Sequence, residues 1–317
     1  MKKIILKSAL IAIIISSAIV HNAYAQTKNN LQGKISISGA FALYPLTVKW
    51  AEEFNKIYPN IKIDISAGGA GKGITDVLSG ITDIGLVSRD LSPEEIKKGS
   101  IPYPVSKDAV IPTISASNPH VLELQARGIK KDVLNNIFIS GRVKSWGQTG
   151  IKSNDPIHIY TRSDAAGAAE TWAKYFGKKQ EDLQGVAVYG DPGLAMAVKK
   201  DPIGIGFNNI VYVFDSKTKK PTNGVVPLPI DLNNNGRIDA DEDFYGDIDK
   251  LTNAIATGKY PSPPGRELLF VTKGATKNAA AKEFIKWVLT IGQKYVDAAG
   301  YIQLSPDRIK ATLAKLK

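Results

Sequence analysis

Ser66-Ala67-Gly68-Gly69-Ala70-Gly71-Lys72-Gly73 is the stretch on which the reading of this chain turns. Ile61-Lys62-Ile63-Asp64-Ile65 precedes it and alternates as a strand does. Ile74, Val77, Leu78 and Ile81 follow at the spacing of a buried helix face. A strand, a glycine-rich loop and a helix start together turn backbone N–H groups toward an anion. Glycine lets the backbone approach closely because no Cβ intervenes. Taken alone, the stretch reads first as an empty tight turn.

The same unit recurs along the chain. Lys34-Ile35-Ser36-Ile37-Ser38 predicts a strand, Gly39 to Leu43 a loop, and Tyr44-Pro45 a helix start, with Leu46, Trp50, Phe54 and Ile57 on one face. Ile157 to Tyr160 predicts a strand, Thr161 to Gly167 a loop, and Glu170 to Phe176 a helix. Asp83 to Arg89 reads as a short strand. Ser92-Pro93-Glu94-Glu95 starts a helix with a serine cap, a proline and acids in the first turn. Phe284, Trp287, Val288 and Ile291 mark a further buried helix face, and Pro306–Lys317 a lysine-rich final helix with a solvated face. Alternating strands and helices imply α/β layers with parallel strands, whose loops converge at the strands' carboxyl ends.

Lys2, Lys3 and Lys7, an apolar run from Ala9 to Val20, and Ala23-Tyr24-Ala25 have the three regions of a secretory signal peptide, expected over 1–25 with a polar linker over 26–32. No membrane insertion is expected after cleavage, and the product is expected in the periplasm. The chain has no cysteine, which excludes disulfides and a lipid-bearing N-terminal cysteine. Its net charge is +11, three of these charges coming from leader lysines. A basic balance favours anionic partners; export argues against nucleic acid.

Ile37-Ser38-Gly39, Tyr44-Pro45-Leu46, Trp50 to Phe54, the glycine loop, Asp83-Ile84-Gly85 with Ser88-Arg89, and Thr161-Arg162-Ser163-Asp164 resemble, in order, the phosphate-binding proteins of bacterial ABC uptake systems. Gly292-Gln293-Lys294 and Gly300-Tyr301-Ile302 extend the resemblance toward the C-terminus. It implies an α/β, two-lobed, type II periplasmic-binding-protein-like fold with two hinge crossings. One lobe would combine residues 33–112 and 266–317, and the other would span 113–265. It also implies a monomer that closes on a small anionic ligand and delivers it to an ABC permease, with domain closure as the motion.

The resemblance carries a ligand-binding arginine onto Arg162 and its neighbouring carboxylate onto Asp164. It places the remaining ligand contacts at Ala42, Leu43, Ala70, Gly71, Ala166, Gly167 and Ala168, with Lys72, Ser88 and Arg89 as flanking donors. Several family hydroxyls are missing: Phe41, Ala42, Ala70, Ala166 and Ala168 stand at those positions. A hydrogen bond to a charged group is worth roughly 1.5–3 kcal/mol, so the expected ligand is phosphate or a related oxyanion held largely by backbone N–H groups. Arg162 reads either as a forked oxyanion contact or as an ion-pair partner of Asp164. Lys72 reads either as a pocket cation or as a solvated one, and Arg89 as a salt-bridge partner at the cleft rim or a ligand contact.

Asp231-Leu232-Asn233-Asn234-Asn235-Gly236-Arg237-Ile238-Asp239-Ala240-Asp241-Glu242 matches a twelve-residue calcium loop. Asp231, Asn233, Asn235, the Arg237 carbonyl, Asp239 and Glu242 occupy the ligand positions, and Gly236 the turn. Pro227 and Pro229 exclude a good preceding helix, so the loop predicts a lone structural Ca2+ site, not a paired EF-hand. The alternative is an Asn/Gly-rich surface turn. No organic cofactor is expected.

The expected mature chain has two histidines, His120 and His158, and no G-x-S-x-G, H-E-x-x-H or Walker-type motif. A binder is therefore expected in preference to an enzyme. A sensor or adhesion module on the same fold is the alternative, followed by an exported phosphatase-like hydrolase.

Overall fold

The computed structural model describes residues 31–316. The expected leader and the linker up to residue 30 lie outside the described residues. The chain starts as β1 (Gly33–Gly39), α1 (Tyr44–Asn55), β2 (Ile61–Ala67), α2 (Ala70–Leu78), β3 (Ile84–Val87), α3 (Pro93–Lys97) and β4 (Ser100–Ser115). It continues as α4 (Val121–Arg127), β5 (Ile129–Lys130), α5 (Lys131–Phe138), β6 (His158–Arg162), α6 (Gly167–Tyr175), β7 (Val186–Val188), α7 (Gly190–Lys200), β8 (Gly204–Asn209), β9 (Val225–Pro227) and β10 (Ile230–Asp231). It ends with α8 (Ile248–Ala256), β11 (Gly265–Lys273), α9 (Ala279–Leu289) and α10 (Pro306–Leu313).

The main sheet runs β2-β1-β3-β11-β4-β8-β6-β7. β1 pairs in parallel with β2 and β3, and β6 in parallel with β7 and β8. The recurring strand-loop-helix unit thus builds two parallel-stranded halves. β4 and β11 join them. The first part of β4, Ser100 to Ala109, lies antiparallel to β11, and its second part, Val110 to Ile114, lies antiparallel to β8.

Each half has its own core. Ile35, Trp50, Phe54, Leu86, Phe270 and Phe284 belong to one cluster. Ile114, Phe138, Trp172, Phe207, Ile230 and Tyr260 belong to the other. Along β4 the division falls between Val105 and Ala109. The protein is an α/β molecule of two lobes with two crossings, as the resemblance implied.

Three residues assigned to buried helix faces are exposed: Ile57, Ile81 and Ile291, at 36%, 67% and 44%. The helices end first, at Asn55, Leu78 and Leu289, so apolar spacing continued past each helix stop. The glycine stretch is also shorter as a loop than expected, because α2 begins at Ala70. A Cβ on Gly73 would lie 2.6 Å from the Leu86 carbonyl and 3.0 Å from that of Ser38. That glycine seats α2 on its own sheet. Gly69 is the true turn residue, with φ +90°.

Candidate functional site

β6 carries Arg162 to the strand's carboxyl end, where the lobes meet. Its side chain is 1% exposed. Arg162 Nε donates to Asp164 Oδ1 at 2.9 Å, and Nη2 to Asp164 Oδ2 at 2.6 Å. Nη1 donates to Asp191 Oδ2 at 2.5 Å. Burial opposes the guanidinium charge, but Asp191 and Asp164 outweigh it and raise its pKa. Of the two alternatives for Arg162, the ion pair with Asp164 is the one present here, at a point where the loops of both lobes converge. The Phe41 ring lies over it, 5.5 Å from the guanidinium carbon.

Asp191 is the main residue missed from sequence. It sits in the first turn of α7 and is 2% exposed. Burial pushes its carboxyl up, and Arg162 and Arg266 offset this only in part. Asn209 Nδ2 also donates to it, at 2.5 Å. The only sequence signal was an acid in a glycine turn, Gly190-Asp191-Pro192-Gly193, ahead of an apolar helix.

The lobes touch at this point. Gly71 N–H, in the first turn of α2, donates to the Ala165 carbonyl at 3.0 Å. A Cβ on Gly69 would lie 2.7 Å from Asp164 Oδ2. Gly167 starts α6 against Ser88 with no room for a side chain. Tyr212 Oη donates to the Phe41 carbonyl at 2.9 Å, and a Cβ on Gly190 would meet the Phe41 ring at 3.0 Å. The helices α1, α2 and α6 all start without a side-chain cap, after Leu43, Gly69 and Ala166 respectively. Of their first-turn N–H groups, that of Gly71 is taken by the Ala165 carbonyl and that of Tyr44 by the Ala40 carbonyl, and Pro45 has none; the others are the backbone donors that an anion at this junction would use.

The structure thus brings Ala70, Gly71, Ser88, Arg162, Asp164, Gly167 and Phe41 to one junction. Ala42, Leu43, Ala70, Ala166 and Ala168 are buried and offer no side-chain donor. The Ala166 N–H already donates to Gln180 Oε1 at 3.0 Å. Lys72 turns back along α2 onto Asp76, which also takes the Ser38 hydroxyl. Arg89 forks onto Glu95, at 2.9 and 2.7 Å. These pairings satisfy the two flanking cations within their own lobe, because helical spacing and the α3 capping box place a carboxylate beside each. Two cavities, of about 390 and 690 Å3, open along the interlobe rim, and both border Arg89, Asp90, Glu170 and Lys174.

The second candidate site is the loop 231–242. Its left-handed residues are Asn234 and Gly236, with φ +63° and +83°. Asp231 is 1% exposed and accepts from the N–H groups of Asn235 and Gly236. Glu242 is 4% exposed and accepts from the N–H groups of Leu232, Asn233 and Asp239. The side-chain amides of Asn233 and Asn235 both donate to Asp239, and these bonds hold its carboxyl below the usual range. Ile238 packs inward against Gly128, and its N–H donates to the Ala126 carbonyl. Among the described residues no three His, Cys, Asp or Glu side chains group as a metal-holding cluster. A cation here would therefore draw on asparagine and carbonyl oxygens as well as carboxylates. That donor set suits a hard ion such as Ca2+.

A family model described as a PBP superfamily domain matches residues 24–290. The phosphate-binding protein PstS of Bacillus subtilis is 27% identical, over 97% of this chain and 96% of that protein. PstS of Methanocaldococcus jannaschii is also 27% identical, over 98% and 93%. An ABC-type phosphate transport receptor from Vibrio cholerae has a similar structure, with a TM-score of 0.62 at 20% identity, covering 85% of this chain and 100% of that one.

Proposed function

The chain belongs to the PBP superfamily, and from that membership we propose that it is an extracytoplasmic solute-binding protein. It captures phosphate or a related oxyanion between its lobes and passes it to an ABC permease. The observation that carries this reading is the placement of Arg162, buried at a strand end between the uncapped starts of α2 and α6, which belong to different lobes. The relatives named as phosphate-binding proteins over nearly the full chain support the ligand class. Capture without turnover fits the site, which offers backbone N–H groups, a guanidinium and two carboxylates but no evident nucleophile. Domain closure would bring the first turns of α2 and α6 onto the ligand together.

Titration calorimetry of the mature protein tests the proposal with inorganic phosphate and a panel of related oxyanions. Saturable binding of one of them at a single site, lost in Arg162→Ala, is the expected result. Absence of binding across the panel would overturn it.

We also read loop 231–242 as the seat of a structural Ca2+. The full twelve-residue spacing and the burial of Asp231 and Glu242 support this reading. Asp231, Asn233, Asn235, the Arg237 carbonyl, Asp239 and Glu242 would hold the ion, whose charge would draw the loop's oxygens together.

A further inference from the structure

Arg266 lies on β11 directly opposite Asp108 on β4, so the two sit side by side on the strands that join the lobes. Its side chain is 7% exposed and that of Asp108 1%. Arg266 Nε donates to Asp108 Oδ1 at 2.9 Å, and Nη2 reaches Asp108 Oδ2 at 3.3 Å. Nη1 donates to the Gly167 carbonyl at 2.6 Å and to Thr171 Oγ1 at 3.0 Å, holding the first turn of α6. Nη2 also donates to Asn209 Oδ1. Asn209 turns its amide nitrogen the other way, to Asp191, which in turn accepts from Arg162. The orientation of Asn209 is fixed by charge: its oxygen faces a cation and its nitrogen an anion.

A buried chain of six side chains results: Asp108, Arg266, Asn209, Asp191, Arg162 and Asp164. It runs from the crossing strands to the interlobe junction, where Asp164 abuts Gly69 of the opposite lobe. We propose that Arg266 is the positioning residue that couples the crossing strands to the site. It fixes α6 directly and Arg162 through Asn209 and Asp191, so that the closed setting of the strands and the ligand-holding setting of Arg162 occur together. Only a planar fork meets these acceptors at once; a lysine ammonium in its place is a single point with three donors. The inference rests on the proposed oxyanion site, and its test separates the two.

The chain has no cysteine, so Glu94→Cys and Lys178→Cys give a unique pair of label sites on opposite banks of the cleft. The interlobe distance is then measured by spin-label or fluorescence methods, with and without inorganic phosphate, in the otherwise native chain, Arg266→Lys, Asn209→Ala and Arg308→Lys. Arg308→Lys is the control, because it loosens the neighbouring fork onto Glu267 without touching the buried chain. Arg266→Lys is expected to lengthen the mean distance without phosphate and to raise the phosphate midpoint at least tenfold. Asn209→Ala is expected to move both readouts in the same direction, and Arg308→Lys neither. Unchanged distance and midpoint in Arg266→Lys, or an equal change in Arg308→Lys, would overturn the inference. If the otherwise native chain does not respond to phosphate, the ligand reading fails, while the phosphate-free distances still decide the role of Arg266.

Discussion

Asp191 accepts a 2.5 Å hydrogen bond from Arg162 across 29 residues of sequence, so the buried guanidinium faces two carboxylates instead of one. The excess negative charge opposes an entering oxyanion. Burial raises the Asp191 pKa, against the pull of Arg162 and Arg266. A carboxyl whose folded pKa is raised contributes stability while it is protonated, below the ordinary range. That contribution is lost as pH rises through the raised value. Ionisation over the same window also places a second charge against the ligand. Asp191→Asn removes that charge where it is ionised, a gain of about tenfold in phosphate affinity, or ~1.4 kcal/mol, set against the weakened link to Asn209, because one amide oxygen then serves both Arg162 and Asn209. The difference should shrink as pH falls. Calorimetry of wild type and variant side by side, so that the ligand's own titration cancels, checks this. Parallel pH profiles would remove Asp191 from any role in affinity.

Removing the cation has the opposite sign. Arg162→Ala leaves Asp164 and Asp191 buried without their partner, and breaking a buried pair in this way costs about 3–5 kcal/mol. Urea denaturation should show a loss of that order together with loss of phosphate binding. Arg162→Lys restores the charge but not the fork. It should recover part of the stability and little of the affinity. Full recovery of affinity would mean that the ligand needs only a positive charge at this position.

The β-loop-α units and the pairing of Arg162 with Asp164 were legible in the sequence because each is local, whereas the two-lobed plan came only with the family resemblance. Strand alternation, helix starts and a two-residue separation all fall within one reading window. The partners of Arg162 and Arg266 were not legible. Asp191 is 29 residues from Arg162, and Asp108 is 158 residues from Arg266. Only the fold brings them together. The overrun at Ile57, Ile81 and Ile291 has a similar cause, since apolar periodicity does not register where a helix stops. Gly71 and Gly73 looked equivalent in one glycine-rich loop, yet they face different lobes.

That difference can be measured. In Gly71→Ala the new Cβ would lie 2.5 Å from Ala165 Cβ, across the cleft. The substitution favours the helix by roughly 0.5–1 kcal/mol but obstructs closure. Phosphate affinity should fall at least tenfold with no loss of melting temperature. In Gly73→Ala the new Cβ meets the Leu86 and Ser38 carbonyls inside one lobe. Overpacking of that kind costs about 1–3 kcal/mol, so the melting temperature should drop. Calorimetry and thermal unfolding on the two variants read the contrast. Equal behaviour would mean that the contact between Gly71 and Ala165 does not limit closure.

The calcium loop yields a prediction independent of the cleft. A ligand that binds only the folded state stabilises it by mass action, so saturating Ca2+ should raise the melting temperature of the native chain. Asp231→Ala combined with Glu242→Ala removes the two buried carboxylates of the loop and should abolish that rise. The double variant should also be less stable without calcium, because Glu242 accepts from three backbone N–H groups and Asp231 from two. An unpaired buried donor costs roughly 1–3 kcal/mol. The calcium-free loss and the missing calcium response are therefore separate readouts. Asn235→Ala keeps both carboxylates and should shrink the calcium response with a smaller calcium-free loss. Thermal unfolding with excess chelator and with excess calcium distinguishes the cases. A rise that persists undiminished in the double variant would place the ion elsewhere and leave the loop a turn closed by its own hydrogen bonds.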